Sequence, residues 1–355
     1  MTLEMETAPQ LAPEKSLEEV AREATPKIAI LGVGGGGSNM VSWMDRKVVG
    51  ARTVALNSDA QHLAVCRAES KVLLGYEICG GLGCGGFPEQ GARAAEASAK
   101  EIEEAIGDAS IVFTATALGG GTGTGAAPVV AKLARERGSL TIGVATVPFK
   151  VEGTRLAKAK EGLRRLVEVC DSVIVIDNNR LRAVAGDLPV REAFAVVNAK
   201  ITEFINSVTE ALNTPGVMNM DYADIKAIMK GGGVCSIGFG EGSGGTKVED
   251  AVNKALDNPL LDVGDVSKAT GALLHLEGGE DMTLEDMTRA GELVLDRINP
   301  EARLVWGSKV NPSLQGKMRA TVVLAGVESP FLGSETPKAV LEPRKTPKVS
   351  TKKKA

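Results

Sequence analysis

Residues 110–138 read SIVFTATALGGGTGTGAAPVVAKLARERG. After Ser110, six apolar or β-branched residues come first (111–116), then the run Gly119, Gly120, Gly121, Thr122, Gly123, Thr124, Gly125, then a segment of helical composition. A strand apolar on both faces belongs in a parallel sheet covered on both sides. A glycine turn between such a strand and a helix lets main-chain N–H groups approach an anion closely. The helix N-terminus adds the equivalent of about half a positive charge there. Thr122 and Thr124 add hydroxyl donors.

The same grammar recurs outward from this stretch. KIAILGV (27–33) runs into Gly32-Val33-Gly34-Gly35-Gly36-Gly37-Ser38-Asn39, which satisfies GxGxxG through Gly32, Gly34 and Gly37 and brings a nicotinamide-dinucleotide site into consideration. Such a site wants an acidic residue at the end of the second strand, whereas TVALN (53–57) ends in Asn57-Ser58-Asp59. KVLL (71–74) precedes a third cluster, Gly80 to Gly86, expected to close over the same edge of the sheet. LTIGVAT (140–146) and SVIVI (172–176) complete the strands of the first half, and PEQGARAAEASAKEIEEAI (88–106) reads as a single helix. The first half is therefore an α/β doubly wound parallel sheet.

A long helix over 191–212 follows, with Phe194, Val197, Ile201, Phe204, Ile205, Val208 and Leu212 forming one apolar stripe. Pro215 and Gly216 end it. Helices at 221–230, 246–257 and 283–298 and the strands GALLHLE, RLVWG and MRATVVLAG form a smaller α/β unit. The expected division is a polar tail over 1–25, a nucleotide-binding domain over 26–189, a central helix over 190–213, a C-terminal domain over 214–328 and a basic tail over 329–355. Both tails read as disordered. The glycines of 231–245 have no assigned chemical role.

Composition narrows the functions. With 355 residues, 43% of them hydrophobic and 24% charged, the chain can bury a large core, while 3% aromatic residues and a net charge of −4 argue against a nucleic-acid partner. Five cysteines without a CxxC pair indicate neither a disulfide framework nor a zinc site. No apolar run reaches the roughly 18 residues that span a bilayer, so the expectation is a cytoplasmic protein, not an integral membrane one. From Phe331 onward seven Lys or Arg face two Glu, a net +5 that leaves the remainder at −9. This strip is either a solubilising extension or a docking site for an acidic partner or an anionic membrane surface. His62 and His275 stand isolated, without a catalytic partner in sequence.

None of the three glycine clusters contains Lys or Arg, and GxxxxGK[ST] is absent. A bound triphosphate would be balanced by main-chain amides, helix ends and a divalent cation, Mg²⁺.

The run GGGTGTG in its setting resembles the tubulin signature loop, and the remaining motifs agree in order with the FtsZ family, the prokaryotic tubulin relatives that build the division ring. GVGGGGSN resembles that family's first phosphate loop, Asn57-Ser58-Asp59-Ala60-Gln61 its NTDAQ segment, GLGCGGFPEQG its third loop, and Asn219-Met220-Asp221-Tyr222-Ala223-Asp224 its NxDxxD loop. The resemblance covers about residues 26 to 327. It implies a tubulin-like fold, binding of GTP and GDP with Mg²⁺, and head-to-tail filaments at mid-cell in which one subunit completes the site of the next. By position, Gly34, Gly35, Gly36 and Asn39 together with Gly119 to Gly125 would hold the phosphates, and Asp59, Gly85, Gly86 and Arg155 would also belong to the nucleotide site. Glu152 would contact ribose, Asn178 ribose or base, Phe194 would stack near the guanine and Asn198 would read its edge. Asp221 and Asp224, with Asn219, would orient the attacking water. Four departures stand out: Arg155 comes one residue early after Glu152-Gly153, Asp177 replaces a proline and so is expected to loosen its turn, Asn198 replaces the more usual Asp, and the tail lacks the apolar docking peptide of bacterial members.

From spacing alone Asp221 and Asp224 read first as a helix N-cap and N3 pair; Asn219 and the phosphate loops reverse that order. Beside a division GTPase, the rival readings are a GTP-binding scaffold with weak or no hydrolysis, used for cell shape, and the nicotinamide-dependent oxidoreductase.

Overall fold

The computed structural model describes residues 16, 25–213, 220–261 and 265–332. Ten strands form one sheet: β1 (Ile28–Val33), β2 (Ala51–Asn57), β3 (Ser70–Leu73), β4 (Ile111–Ala117), β5 (Leu140–Val147), β6 (Ser172–Asp177), β7 (Gly233–Ser243), β8 (Gly271–Gly278), β9 (Arg303–Val310) and β10 (Lys317–Ala325). Their spatial order is β3-β2-β1-β4-β5-β6-β7-β10-β8-β9. From β3 to β7 all neighbours are parallel, β10 runs antiparallel to both β7 and β8, and β9 is parallel to β8.

The longer helices cover both faces: α1 (Gly34–Met44), α2 (Ala60–Val65), α3 (Tyr76–Cys79), α4 (Pro88–Ala97), α5 (Ala99–Ile106), α6 (Thr122–Glu136), α7 (Thr154–Val169), α8 (Leu181–Ala185), α9 (Val190–Asn213), α10 (Tyr222–Met229), α11 (Lys247–Leu256) and α12 (Leu284–Leu295). Strand alternation sorts the core between them. In β1, Ile28 and Ile30 join the layer containing α1, α9 and α10, while Ala29, Leu31 and Val33 join the layer of α4 to α7, α11 and α12. That is why these strands read as unbroken apolar runs.

The strands expected from sequence are present within a few residues, and so is the long helix. Three expectations change. The helix over 88–106 is two helices broken at Ser98, because the Ser98 hydroxyl accepts a hydrogen bond from Gly75 N at 2.9 Å and is drawn into the loop after β3. The glycine-rich segment without a role is β7, which joins the two halves into a continuous sheet through Ser172, Val173 and Ile174 of β6. Its glycines recur with the two-residue period of a strand: a Cβ on Gly238, Gly240 or Gly242 would stand 1.9, 2.0 or 2.1 Å from the carbonyl oxygens of Ala255, Ala251 and Lys247. Successive turns of α11 therefore rest directly on the strand backbone. Finally, chain order reaches past the expected start of the tail, since Ser329 is buried and Phe331 and Leu332 pack on the core. The tails over 1–15, 17–24 and 333–355 lie outside the described residues.

His275 of β8 is 4% exposed and neither ring nitrogen has a hydrogen-bond partner. Burial pushes its pKa down to about 4, with Lys309 assisting and Glu210 opposing. The unfolded chain therefore binds a proton that the folded chain refuses, and stability falls as pH drops from about 6.5 to about 4. The full effect is on the order of 3 kcal/mol. Burial raises the pKa of neighbouring Glu277, which acts in the opposite sense. The measurement is therefore a difference: urea midpoints of wild type should fall more steeply with acidification than those of His275→Leu.

Candidate functional site

Because β1, β4 and β5 are parallel, the loops that follow them meet at the carboxyl edge of the sheet. The first two glycine clusters touch backbone to backbone: a Cβ on Gly34 would stand 2.5 Å from Gly123 N and 2.7 Å from Gly123 Cα. Helices α1 and α6 start at this contact. Neither has a side-chain cap on its first turn, and neither carries an acidic residue there. Two sets of orphan N–H groups and two positive dipole ends thus converge with no side chain among the described residues capping them, which is the electrostatic form of an anion site.

The glycines divide by what surrounds them. A Cβ on Gly125 would lie 1.8 Å from Pro88 O, and one on Gly36 would lie 2.3 Å from Ala117 Cβ, so these are fixed by packing. A Cβ on Gly120 would meet nothing within 4 Å, and one on Gly35 would meet only His62 Cε1 at 4.0 Å. Nothing in the chain's own packing requires glycine at Gly35 or Gly120, and both lie where a ligand would approach the helix ends.

The two threonines turn inward. Thr124 Oγ1 accepts from Gly119 N at 2.8 Å and holds that residue at φ +103°, while Thr122 Oγ1 and Ser58 Oγ are 2.7 Å apart. Ser58 also meets Cys84 Sγ at 3.2 Å, and its carbonyl accepts from Gly83 N. This buried serine, unremarked in sequence beyond its place in the NSDAQ segment, ties the second and third glycine clusters together. The third cluster does close over this edge, with Gly85 exposed and Gly86 O accepting from Lys158 Nζ at 2.6 Å. Lys158 comes from α7, so it is a cation beside the loops that their own sequences lack.

Around this centre stand the other expected residues. Asp59 caps α2 through His62 N at 2.9 Å. Glu152 accepts from Phe149 N through Oε1 and from Arg155 through Oε2, both at 2.9 Å. The early Arg155 nevertheless sits at the loop, its Cβ 3.1 Å from where a Cβ on Gly119 would be. Asp177 was expected to loosen the turn after β6; instead its carboxylate accepts from Asn179 N and Asn179 Nδ2 and holds Asn178 in place. Asn179 in turn accepts from Lys150 N at 3.0 Å, joining the β5 and β6 turns. Phe194 is 40% exposed and meets Phe149 edge to face at 6.3 Å, a pairing that sequence did not single out. Asn39 and Asn198 line one cleft of about 310 Å³ with Trp43 and His62.

His62 is not isolated. Its Nδ1 lies 3.1 Å from Asn57 Nδ2 and its Nε2 lies 3.1 Å from Asn39 Oδ1.

The acidic pair is elsewhere. Asp221 and Asp224 form the reciprocal N-terminal cap of α10: Asp224 N donates to Asp221 Oδ1 at 2.8 Å and Asp221 N to Asp224 Oδ2 at 3.3 Å. Neighbouring Tyr222 donates to Ser110 O, immediately before β4, so this cap lies at the amino edge of the parallel sheet. The seven residues of β4 separate it from the glycine loops, about 23 Å at the rise of a parallel strand. Asp221 is exposed, and among the described residues none bonds Asp221 Oδ2 or Asp224 Oδ1. Asn219 lies outside the described residues.

A parallel sheet with three glycine loops at one edge and a spanning helix behind it defines a nucleotide-binding protein of the tubulin class. The model of the tubulin/FtsZ family GTPase domain matches residues 27–186, and that of the FtsZ family C-terminal domain matches 233–328. Cell division protein FtsZ 2 of Methanocaldococcus jannaschii is 43% identical over 330 residues, 91% of this chain and 85% of its own length. The solved empty FtsZ dimer of M. jannaschii superposes with a TM-score of 0.82 at 40% identity, covering 96% of this chain and 100% of that one. The GTPγS-bound protofilament of CetZ2 from Haloferax volcanii gives a TM-score of 0.73 at 25% identity over 85% of this chain and 93% of that one. The chain belongs to the FtsZ family. It is a cell-division GTPase and binds guanine nucleotide.

The division among the glycines is testable. Gly125→Ala should lower the melting temperature of nucleotide-free protein by many degrees. Gly120→Ala and Gly35→Ala should leave it within about a degree of wild type and weaken GDP binding about tenfold or more, read by a fluorescent GDP analogue.

Proposed function

We propose that this GTPase assembles head to tail and that each active centre is shared between two copies, the glycine loops of one receiving Asp221 and Asp224 of the next. The observation that carries this reading is the placement of the acids about 23 Å from the loops, at the opposite edge of the sheet. A carboxylate so placed cannot orient a water at a phosphate held by its own chain. It can do so for a neighbour stacked along the strand direction.

In this reading main-chain amides of the Gly34 to Gly36 and Gly119 to Gly125 loops hold the phosphates, Glu152 and Asn178 reach the ribose side, and Phe194 and Asn198 take the guanine. Phosphoryl transfer needs positioning and charge neutralisation more than covalent chemistry. Asp221 Oδ2 and Asp224 Oδ1 remain to orient the water, because the cap uses the other oxygens. Among the described residues no three His, Cys, Asp or Glu side chains converge to cage a metal. Mg²⁺ would accordingly be held by phosphate oxygens and water, where it would neutralise charge.

The contact joins two different surfaces and therefore propagates as an open filament unless it closes a ring. Large apolar side chains stand exposed on the loop edge, with Leu82 at 84% and Val151 at 90%, as a surface awaiting a partner would show. Loss of the γ-phosphate changes that interface and would loosen the polymer. The dimeric FtsZ of M. jannaschii and the protofilament of CetZ2 support self-association of this chain. We further propose a unit over 26–189, a connecting helix and a unit over 214–328, working in the cytoplasm at mid-cell. No helix among the described residues is long and apolar enough to cross a membrane. The basic tail, of which 333–355 lie outside the described residues, is the proposed attachment point for an acidic partner or membrane surface.

Asp221→Ala should bind GTP normally and hydrolyse it poorly, whereas Gly120→Val should fail to bind. Mixed in equal amounts, the two inactive proteins should regain turnover, since in about a quarter of random head-to-tail contacts an intact loop meets an intact acid. Absence of any recovery would argue for a centre complete within one chain.

A further inference from the structure

His62 has no role in the reading above, yet its ring sits between a buried amide and an exposed one beside the candidate nucleotide cleft. Asn57, 2% exposed at the end of β2, presents Nδ2 to His62 Nδ1 at 3.1 Å. The Cys66 thiol approaches the same nitrogen at 3.6 Å. An amide nitrogen and a thiol are both donors, so Nδ1 must accept. The ring proton then resides on Nε2, which lies 3.1 Å from Asn39 Oδ1. A donor facing that oxygen fixes the Asn39 amide one way round, with Oδ1 toward the ring and the Nδ2 hydrogens free for a ligand. Asn39 is exposed and lines the cleft of about 310 Å³ opposite Asn198.

We infer that His62 is a positioning residue of the nucleotide site, part of a relay from Asn57 through His62 to Asn39 that holds the Asn39 amide as a hydrogen-bond donor to the bound guanine nucleotide. The inference rests on the assignment of Asn39 to that site. Asn57 is anchored at both ends, since its Nδ2 bonds the ring and its carbonyl accepts from Leu74 N at 2.9 Å. The relay therefore starts from rigid strand backbone and ends on the first helix after the phosphate loop. Without the ring, the Asn39 side chain would rotate freely in water and lose that orientation on each binding event.

The test is a double-mutant cycle on the full chain, with affinity for a fluorescent GDP analogue as the readout and melting temperature recorded alongside. His62→Leu and Asn39→Ala should each weaken binding, His62→Leu by about three- to tenfold, the range of one net neutral hydrogen bond. In the Asn39→Ala background His62→Leu should cost nothing further, because its effect passes through Asn39. His62→Gln, which keeps a donor and an acceptor, should recover most of the affinity, and His62→Ala repeats the cycle should the leucine variant fail to fold. A merely structural histidine would shift melting temperature and weaken binding additively with Asn39→Ala. Additive losses, or a folded His62 variant with wild-type affinity, would overturn the inference while leaving the GTPase reading intact. Tight GDP binding by wild type that Asn39→Ala leaves unchanged would remove Asn39 from the site and the relay with it.

Discussion

The polarity of the parallel sheet is the constraint from which the rest follows. Seven neighbouring strands from β3 to β7 point the same way, so whatever follows a strand gathers at one edge and whatever precedes one gathers at the other. The glycine loops after β1 and β4 must therefore meet, as Gly34 and Gly123 do. The helix α9, 24 residues or about 36 Å long, then carries the chain from the loop edge to the opposite one, where α10 begins with the acidic pair. Binding and the proposed hydrolytic machinery are separated by the thickness of the sheet along its strands. In the proposed filament, that separation is what would let one copy complete the site of the next.

At the loop edge the chain supplies directed dipoles in place of charge. Lysine and arginine are missing from the loops, and the nearest cations, Arg155 and Lys158, are engaged with Glu152 and Gly86 O. In the proposed site the attractive field for phosphate would come from uncapped helix starts, that of α6 held in place by the buried Ser58 and Thr122 hydroxyls. Such a site needs rigidity, because a peptide N–H contributes only when it points correctly. The close contacts at Gly34, Gly36 and Gly125 provide it. Lacking side chains, these residues let the loops pack closely, and within the first two clusters Gly35 and Gly120 are left facing open space.

Much of this was legible in the sequence, for physical reasons. Strands buried on both faces announce themselves as apolar runs, and glycine clusters that follow them mark the carboxyl edge. The segment over 231–245 was opaque because its inward face is glycine, not apolar; Gly238, Gly240 and Gly242 do carry a two-residue period, but one that signals a strand only once α11 is known to lie on it. The break at Ser98 depends on a hydrogen bond to Gly75, and the Asp177 cap on an amide two residues on whose orientation no pattern declares. His62 seemed isolated since its partners, Asn39 and Asn57, belong to other elements that meet only at the loop edge. The acidic pair is the instructive case: spacing gave a helix cap, resemblance implied catalysis, and the geometry forms the cap while leaving one oxygen of each carboxylate without a partner among the described residues.

The proposed active centre is either shared between copies or complete within one. The most direct measurement is GTP turnover per subunit across a range of protein concentrations, with nucleotide saturating throughout. A shared centre predicts negligible turnover at high dilution and a rise steeper than linear in total rate as subunits meet. A rate strictly proportional to protein concentration, down to dilutions where only monomers exist, would contradict it.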